Sequence, residues 1–405
     1  MKQPKALTSI LIGLLLLNGL VKAQESWKPG DPLNIKFGKG DSTFTLTPWA
    51  SFRFTLTATN GEVYLNDPGT RVGFKFRQPC TKNFALYGNI ELSMKLASTG
   101  ESMNFSPGNA TDEYGLYNLT TSSKDQVFGL RQTYIGFDFF KWGRLTLGKQ
   151  MSAYLDIADR TDISTWNSGF ASYAYSPEGS DGGLTRTGRA NSCITYRNDF
   201  AKRIHFAASV QMKINNLADS LNNNINSAGG SVIIDIIKGF DFAFGYQQVF
   251  FNENYFNPDL VYGLTSNPSY LIVGTQFKNQ NLKVGVNFAS QMHGDLTTAS
   301  YVDSNINKKA TVVYSGTGLE VIGDYKFNKW KFQTGVNWKL PQQDENKILS
   351  SGFERQIIFY GVGFYPVKNI ALIFEGRYEN SHDADGNTIP NTNMIGLRKI
   401  GRAHV

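Results

Sequence analysis

The chain has 405 residues, and 40 Gly, 29 Phe and 19 Tyr beside only 18% charged residues make an unusual mixture for a soluble enzyme. That length would ordinarily divide into two or three soluble domains, yet no linker, composition shift or low-complexity spacer interrupts it. The formal charge of +7 falls to +4 without Lys2, Lys5 and Lys22 of a leader peptide, a basic balance too weak to argue for a nucleic-acid partner.

The first residues set the compartment. Lys2 and Lys5 precede an almost unbroken apolar run over residues 10–20, and Val21-Lys22-Ala23 gives a small-x-small cleavage pattern before Gln24. This predicts a secretory signal peptide over residues 1–23, with an apolar core shorter than the ~20 residues of a spanning helix. Residues 24–42 follow as a short N-terminal segment, and no later stretch approaches ~18 consecutive apolar residues. Cys80 and Cys193 have nothing in the sequence to bring them together, so both are expected to be free.

From residue 43 the side chains alternate. Phe44, Leu46, Phe52, Phe54 and Leu56 share one face of a strand, and Thr45, Thr47, Ser51, Arg53 and Thr55 the other. The same split recurs over 84–96, where Leu86, Ile90 and Leu92 oppose Tyr87, Asn89 and Glu91. It returns at Phe206, Val210 and Met212 against His205, Ser209 and Gln211, and at Trp330, Phe332 and Trp338 against Lys331, Gln333 and Lys339. Read as helices, these apolar residues would wrap the whole cylinder, so the period is that of strands with one apolar and one polar face.

The connections alternate too. Residues 79–83, 140–143, 199–203, 238–239, 278–281, 328–329 and 366–369 are short turns. Between them lie long polar loops at 58–70, 97–126, 151–188, 214–229, 251–269, 291–316, 340–353 and 380–390. A soluble sandwich has no reason to keep such a rule, and no blade repeat suggests a propeller. Short turns on one rim and long loops on the other predict an all-β fold, a transmembrane antiparallel β-barrel of about 16 strands over residues 43–398. Phe139, Phe140 and Trp142 at one turn, and Phe327 and Trp330 at another, suit the aromatic girdle of such a barrel.

Three local patterns carry a family resemblance: Arg71-Val-Gly-Phe-Lys75, then Leu130-Arg-Gln-Thr-Tyr-Ile-Gly136 followed by Trp142-Gly-Arg-Leu-Thr-Leu-Gly148, and Gly188-Arg189 with Thr195-Tyr-Arg-Asn198. They resemble the general trimeric porins of Gram-negative outer membranes, at motif level over about residues 70–210. The resemblance implies an outer-membrane location, contact with membrane lipid and lipopolysaccharide, a homotrimer, and no cofactor. It implies that the third long loop, 151–188, folds inward as a constriction loop. Asp162 falls on the family's acidic loop position, with Asp156 and Asp159 on the approach to it. Arg71, Arg131 and Arg189 fall on the basic wall that faces the loop. Two positions depart from the pattern: Trp166 stands at a second acidic site, and Pro48 where a lysine is expected. Arg53, inward by alternation, is a substitute for that lysine, and Lys75 thickens the same wall.

Opposed acidic and basic rows across a narrow, water-filled neck make a transverse field that favours small dipolar solutes and biases ion entry. The expected function is passive diffusion of small polar solutes and ions with mild anion preference. A channel dedicated to phosphate or small carboxylates is the alternative, though its ladder of inward lysines is here scattered. A barrel enzyme would need a histidine held beside a nucleophile or acid, whereas His205, His293 and His382 are expected to be solvated. The stretch 25–41 is too short for a plug domain. Residues 400–405 read like a translated sequencing-adapter oligonucleotide, so 399–405 is expected to be a non-native tail.

Overall fold

The computed structural model describes residues 33–38, 40–66, 69–96, 128–164, 169, 171–172, 188–212, 225–250, 261–262, 266–303, 306–342, 348–367 and 369–400. The expected signal peptide, the loop 97–126, Trp166, Glu178, Asp181 and residues 401–405 lie outside them.

Sixteen long strands follow one another. They are β1 (Phe44–Thr59), β2 (Arg71–Thr81), β3 (Phe84–Met94), β4 (Phe128–Asp138), β5 (Arg144–Met151), β6 (Arg189–Phe200), β7 (Ile204–Met212) and β8 (Ile225–Ile237). The second half is β9 (Phe240–Val249), β10 (Ser269–Lys278), β11 (Leu282–Asp303), β12 (Ile306–Phe327), β13 (Trp330–Pro341), β14 (Arg355–Val367), β15 (Ile370–Glu379) and β16 (Thr392–Ile400). Each pairs antiparallel with the next, and β16 returns to β1 with Leu397 opposite Phe54, closing the sheet into a barrel. Closure leaves no open edge, the one sheet arrangement that satisfies every backbone donor in a lipid bilayer. Pairing on β16 runs past the expected boundary at residue 398, with Lys399 and Ile400 opposite Phe52 and Ser51.

Alternation decides which side faces what. Leu56, Phe74, Phe244, Phe288, Phe332, Ile358 and Ile395 are exposed on the outside, while Ser51, Asn89, Thr195, Ser209, Asn287, Glu320 and Thr392 are buried on the inside. A water-soluble protein buries the first set and exposes the second. The inversion identifies lipid as the outer solvent.

The short turns fall where the sequence expects them. The two-residue turn Lys238-Gly239 needs a left-handed residue to reverse the chain, and Gly239 supplies it at φ +82°. The long side carries more strand than expected: Glu62–Asn66 is a short strand inside 58–70, β8 begins at Ile225 inside 214–229, and 291–316 differs most. Residues 291–316, expected as a loop, are mostly strand: β11 and β12 pair for 22 residues each, with an irregularity between Gln291 and Asp295. At ~3.4 Å per residue each reaches about 70 Å, far beyond an apolar band ~25 Å tall. Above the membrane neither face meets lipid, so the apolar alternation that announces a strand stops near Met292. The projecting hairpin is anchored by its own small core: Ala299, Val312 and Tyr314 pack with Leu349 and Ala384, and the Tyr314 and Phe353 rings stand 5.3 Å apart. Cys80 is exposed and Cys193 buried, and both are free.

Candidate functional site

The inward face of β1 to β6 is rich in arginine. Register places Gly73 opposite Glu91 across β2 and β3, and Glu91 opposite Gln132 across β3 and β4. A bulge after Glu91 puts an extra residue into β4, so Arg131 and Gln132 both reach the same carboxylate. Glu91 therefore accepts three bonds: from Arg71 Nη1 at 3.1 Å, Arg131 Nε at 2.8 Å and Gln132 Nε2 at 3.3 Å. Two guanidiniums share one carboxylate and leave a net positive node, with Arg189 close enough to act on Arg71. Arg189 is itself buried where β6 begins, opposite Met151. Arg53 extends the wall on β1, its guanidinium beside Gly69, and Lys75 continues it on β2 between Thr47 and Asn89.

The acidic residues leave β5 together. The Ser152 hydroxyl accepts the Leu155 backbone N–H at 3.2 Å and starts a single helical turn, α1 (Leu155–Ala158). Its apolar side, Tyr154, Leu155, Ile157 and Ala158, packs on Ala243, Ile272 and Ala289, inward residues of β9, β10 and β11. The polar side sends Asp156 to Arg197 on β6, which grips it through Nε and Nη2, both at 3.0 Å. Burial pushes the Asp156 carboxyl above the usual range, and Arg197 works against that rise. Burial raises Asp159 as well, opposed by Lys283 and Arg71 and reinforced by Asp156. Asp159 thus feels both Arg71 of the basic wall and Lys283 of β11.

Beyond α1 the chain is fastened residue by residue. Arg160 pairs with Asp241 on β9. Asn287 Nδ2 on β11 donates to the Ile157 carbonyl at 3.1 Å and to Thr161 Oγ1 at 2.8 Å. Glu320 on β12 takes the Thr161 hydroxyl and the backbone N–H groups of Ala171 at 2.8 Å and Ser172 at 2.7 Å. Lys331 on β13 donates to the Ile163 carbonyl at 3.3 Å, and Ser164 donates to Glu375 on β15 at 2.6 Å. Gly318 makes the closest approach possible, since a Cβ there would stand 2.0 Å from the Ala171 carbonyl oxygen. Asp162 sits half-buried within this fastened run.

Sequence reasoning names the eight charged residues of the wall and loop but misses what holds them. Glu91, Arg197, Asn287, Glu320 and Glu375 all carry inward parity, the only signal available, and their partners lie 20 to 211 positions away. His205 bridges Asp199 and Asp235, at 2.7 and 3.2 Å, through its two ring nitrogens.

A family model described as Gram-negative porin matches residues 47–364. No curated protein matches the chain in sequence. Among solved structures, Salmonella typhi OmpF in complex with daunomycin is 18% identical, with TM-score 0.66, and covers 90% of this chain and 99% of its own. The outer-membrane channel DcaP of Acinetobacter baumannii is 12% identical, with TM-score 0.62, over 90% and 99%. An anion-selective porin from Comamonas acidovorans is 12% identical, with TM-score 0.59, over 88% and 99%.

Proposed function

This chain belongs to the Gram-negative porins and forms a channel in the outer membrane; from that premise we propose that it passes small polar solutes and ions by passive diffusion, with mild anion preference. The observation that carries the reading is the arginine node at Glu91, where Arg71 Nη1 and Arg131 Nε bind one inward carboxylate at 3.1 and 2.8 Å. In this reading the segment 151–188 folds into the lumen and narrows it. Its described residues support that, since every wall contact they make is to an inward side chain. Arg53, Arg71, Lys75, Arg131 and Arg189 form the basic side of the neck, and Asp156, Asp159 and Asp162 the acidic side. Five cations against three loop acids and Glu91 leave a small positive excess, which concentrates anions at the neck.

Residues 1–23 are proposed as the signal peptide and 43–398 as the barrel, whose last strand continues in pairing to Ile400, so that a tail outside it is left at 401–405. A homotrimer in contact with lipopolysaccharide is proposed by family likeness. Among the neighbours, an outer-membrane protein of Vibrio cholerae, 14% identical with TM-score 0.59, was solved in a trimer form.

Swelling of liposomes loaded with the full chain tests diffusion directly. Rates that fall smoothly with the size of neutral sugars, and do not saturate, are expected. A current blocked at low concentration by phosphate or a small carboxylate would instead assign a dedicated anion channel.

A further inference from the structure

The two rims of the barrel carry opposite charge. Leaving out the segment 151–188, which is proposed to fold inward, the seven other long connections hold 15 Asp and Glu against 4 Lys and Arg, whereas the seven short turns hold 8 Lys and Arg against a single acid, Asp199. Every short turn has a lysine. Lys82, Lys141, Lys202, Lys238, Lys278 and Lys329 are all exposed, and Lys368 of the seventh turn lies outside the described residues.

These ammonium groups keep their charge unpaired among the described residues, because the acids near them are taken by other partners. Asp138 is bound by Arg77 at 2.9 Å, Asp324 by Lys331 at 2.7 Å, and Asp199 and Asp235 by His205. Aromatic residues mark the depth at which the lysines stand. Trp142 is 70% exposed, and Phe200, Phe327 and Trp330 are exposed beside the other turns. Such rings settle at the boundary between acyl chains and headgroups. Lys141 Nζ lies 5.3 Å from the Trp142 ring centroid, so charge and girdle meet there directly. The lysines at the turn tips therefore occupy the level of the phosphates.

We propose that the short-turn rim is a docking collar for anionic glycerophospholipids, of phosphatidylglycerol or cardiolipin type, in the periplasmic leaflet of the outer membrane. Phosphodiesters lie between lysines of neighbouring turns, and the girdle rings hold the acyl chains below them. Each contact is weak and screened by salt, but the ring repeats it around the circumference. The acidic opposite rim repels the same headgroups, so the asymmetry also reinforces the barrel's orientation.

The full chain reconstituted in phosphatidylcholine vesicles, with traces of spin-labelled phosphatidylglycerol or spin-labelled phosphatidylcholine, provides the test. The motionally restricted fraction of each label reports its affinity for the barrel surface. The collar predicts a preference for phosphatidylglycerol of roughly fivefold, the worth of one lysine at an anionic surface. That preference falls towards one in 1 M salt, falls towards one when the six lysines become glutamine, and persists when they become arginine. Single-turn variants Lys141→Gln and Lys329→Gln, each with unchanged single-channel conductance, lower it in part and cover the case in which the sixfold variant does not fold. A ratio near one in the wild type overturns the proposal, as does a ratio the glutamine variants leave unchanged. Lysine-dependent binding to isolated peptidoglycan, with no lipid preference, overturns it too.

Discussion

At the residue scale the proposed neck is set by how few carboxylates oppose its arginines. Glu91 neutralises one of the two guanidiniums it binds, and nothing on its own strand helps it. A unit charge ~10 Å from an ion in water is worth about 0.4 kcal/mol, roughly a factor of two in the local concentration of each ion, in opposite senses for anion and cation. Glu91→Gln is therefore expected to raise the anion-to-cation permeability ratio about fourfold, read as a zero-current potential. The loop acids respond to pH. Burial holds Asp156 above the usual carboxylate range and Asp159 beside it is raised as well, so both protonate before unperturbed carboxylates as pH falls. Their negative charge leaves while the arginines stay charged, and anion preference should grow on mild acidification. The Asp156→Asn, Asp159→Asn double variant should show higher anion preference at neutral pH and little further change on acidification. An identical pH response in wild type and variant would contradict this assignment.

At the element scale the segment after β5 depends on carboxylates that belong to distant strands. Glu320 is buried and holds two backbone donors and one hydroxyl of the loop. Glu320→Gln removes the charge behind those bonds and replaces an acceptor oxygen with a donor. Unsatisfied buried donors cost about 1–3 kcal/mol, so the loop should detach part of the time while the barrel stays folded. Flickering single-channel current and faster proteolysis within 151–188 would report it. Gly318→Ala should act similarly through contact, because its methyl meets the Ala171 carbonyl. Strand positions were legible in sequence because lipid and water impose alternation residue by residue. These anchors were not, since Glu320 and Glu375 look like any other inward polar residue until the fold brings Thr161 and Ser164 to them. The projecting halves of β11 and β12 were illegible for a related reason: above the membrane no lipid enforces the pattern.

At the scale of the whole molecule, two solvents shape one sheet. Outward positions must match lipid, so Phe244→Arg, midway along β9, should cost about 2–4 kcal/mol at the bilayer midplane. Thr195→Ser on the lumen side should cost far less, a contrast measurable by urea titration of refolding into vesicles. The same division made the charge reading possible, since a net charge of +7 for the chain says nothing until it is split between lumen, long loops and short turns. Legibility ends at the neck. Sequence supplied its charged residues by parity and family likeness, while the shared carboxylate at Glu91 and the Arg197 grip on Asp156 emerged only from register and a bulge. The most direct measurement of the central claim is the zero-current potential of the reconstituted channel under a tenfold potassium chloride gradient. A potential of the sign that marks a modest chloride preference is predicted, and clear cation selectivity would contradict an arginine-dominated neck.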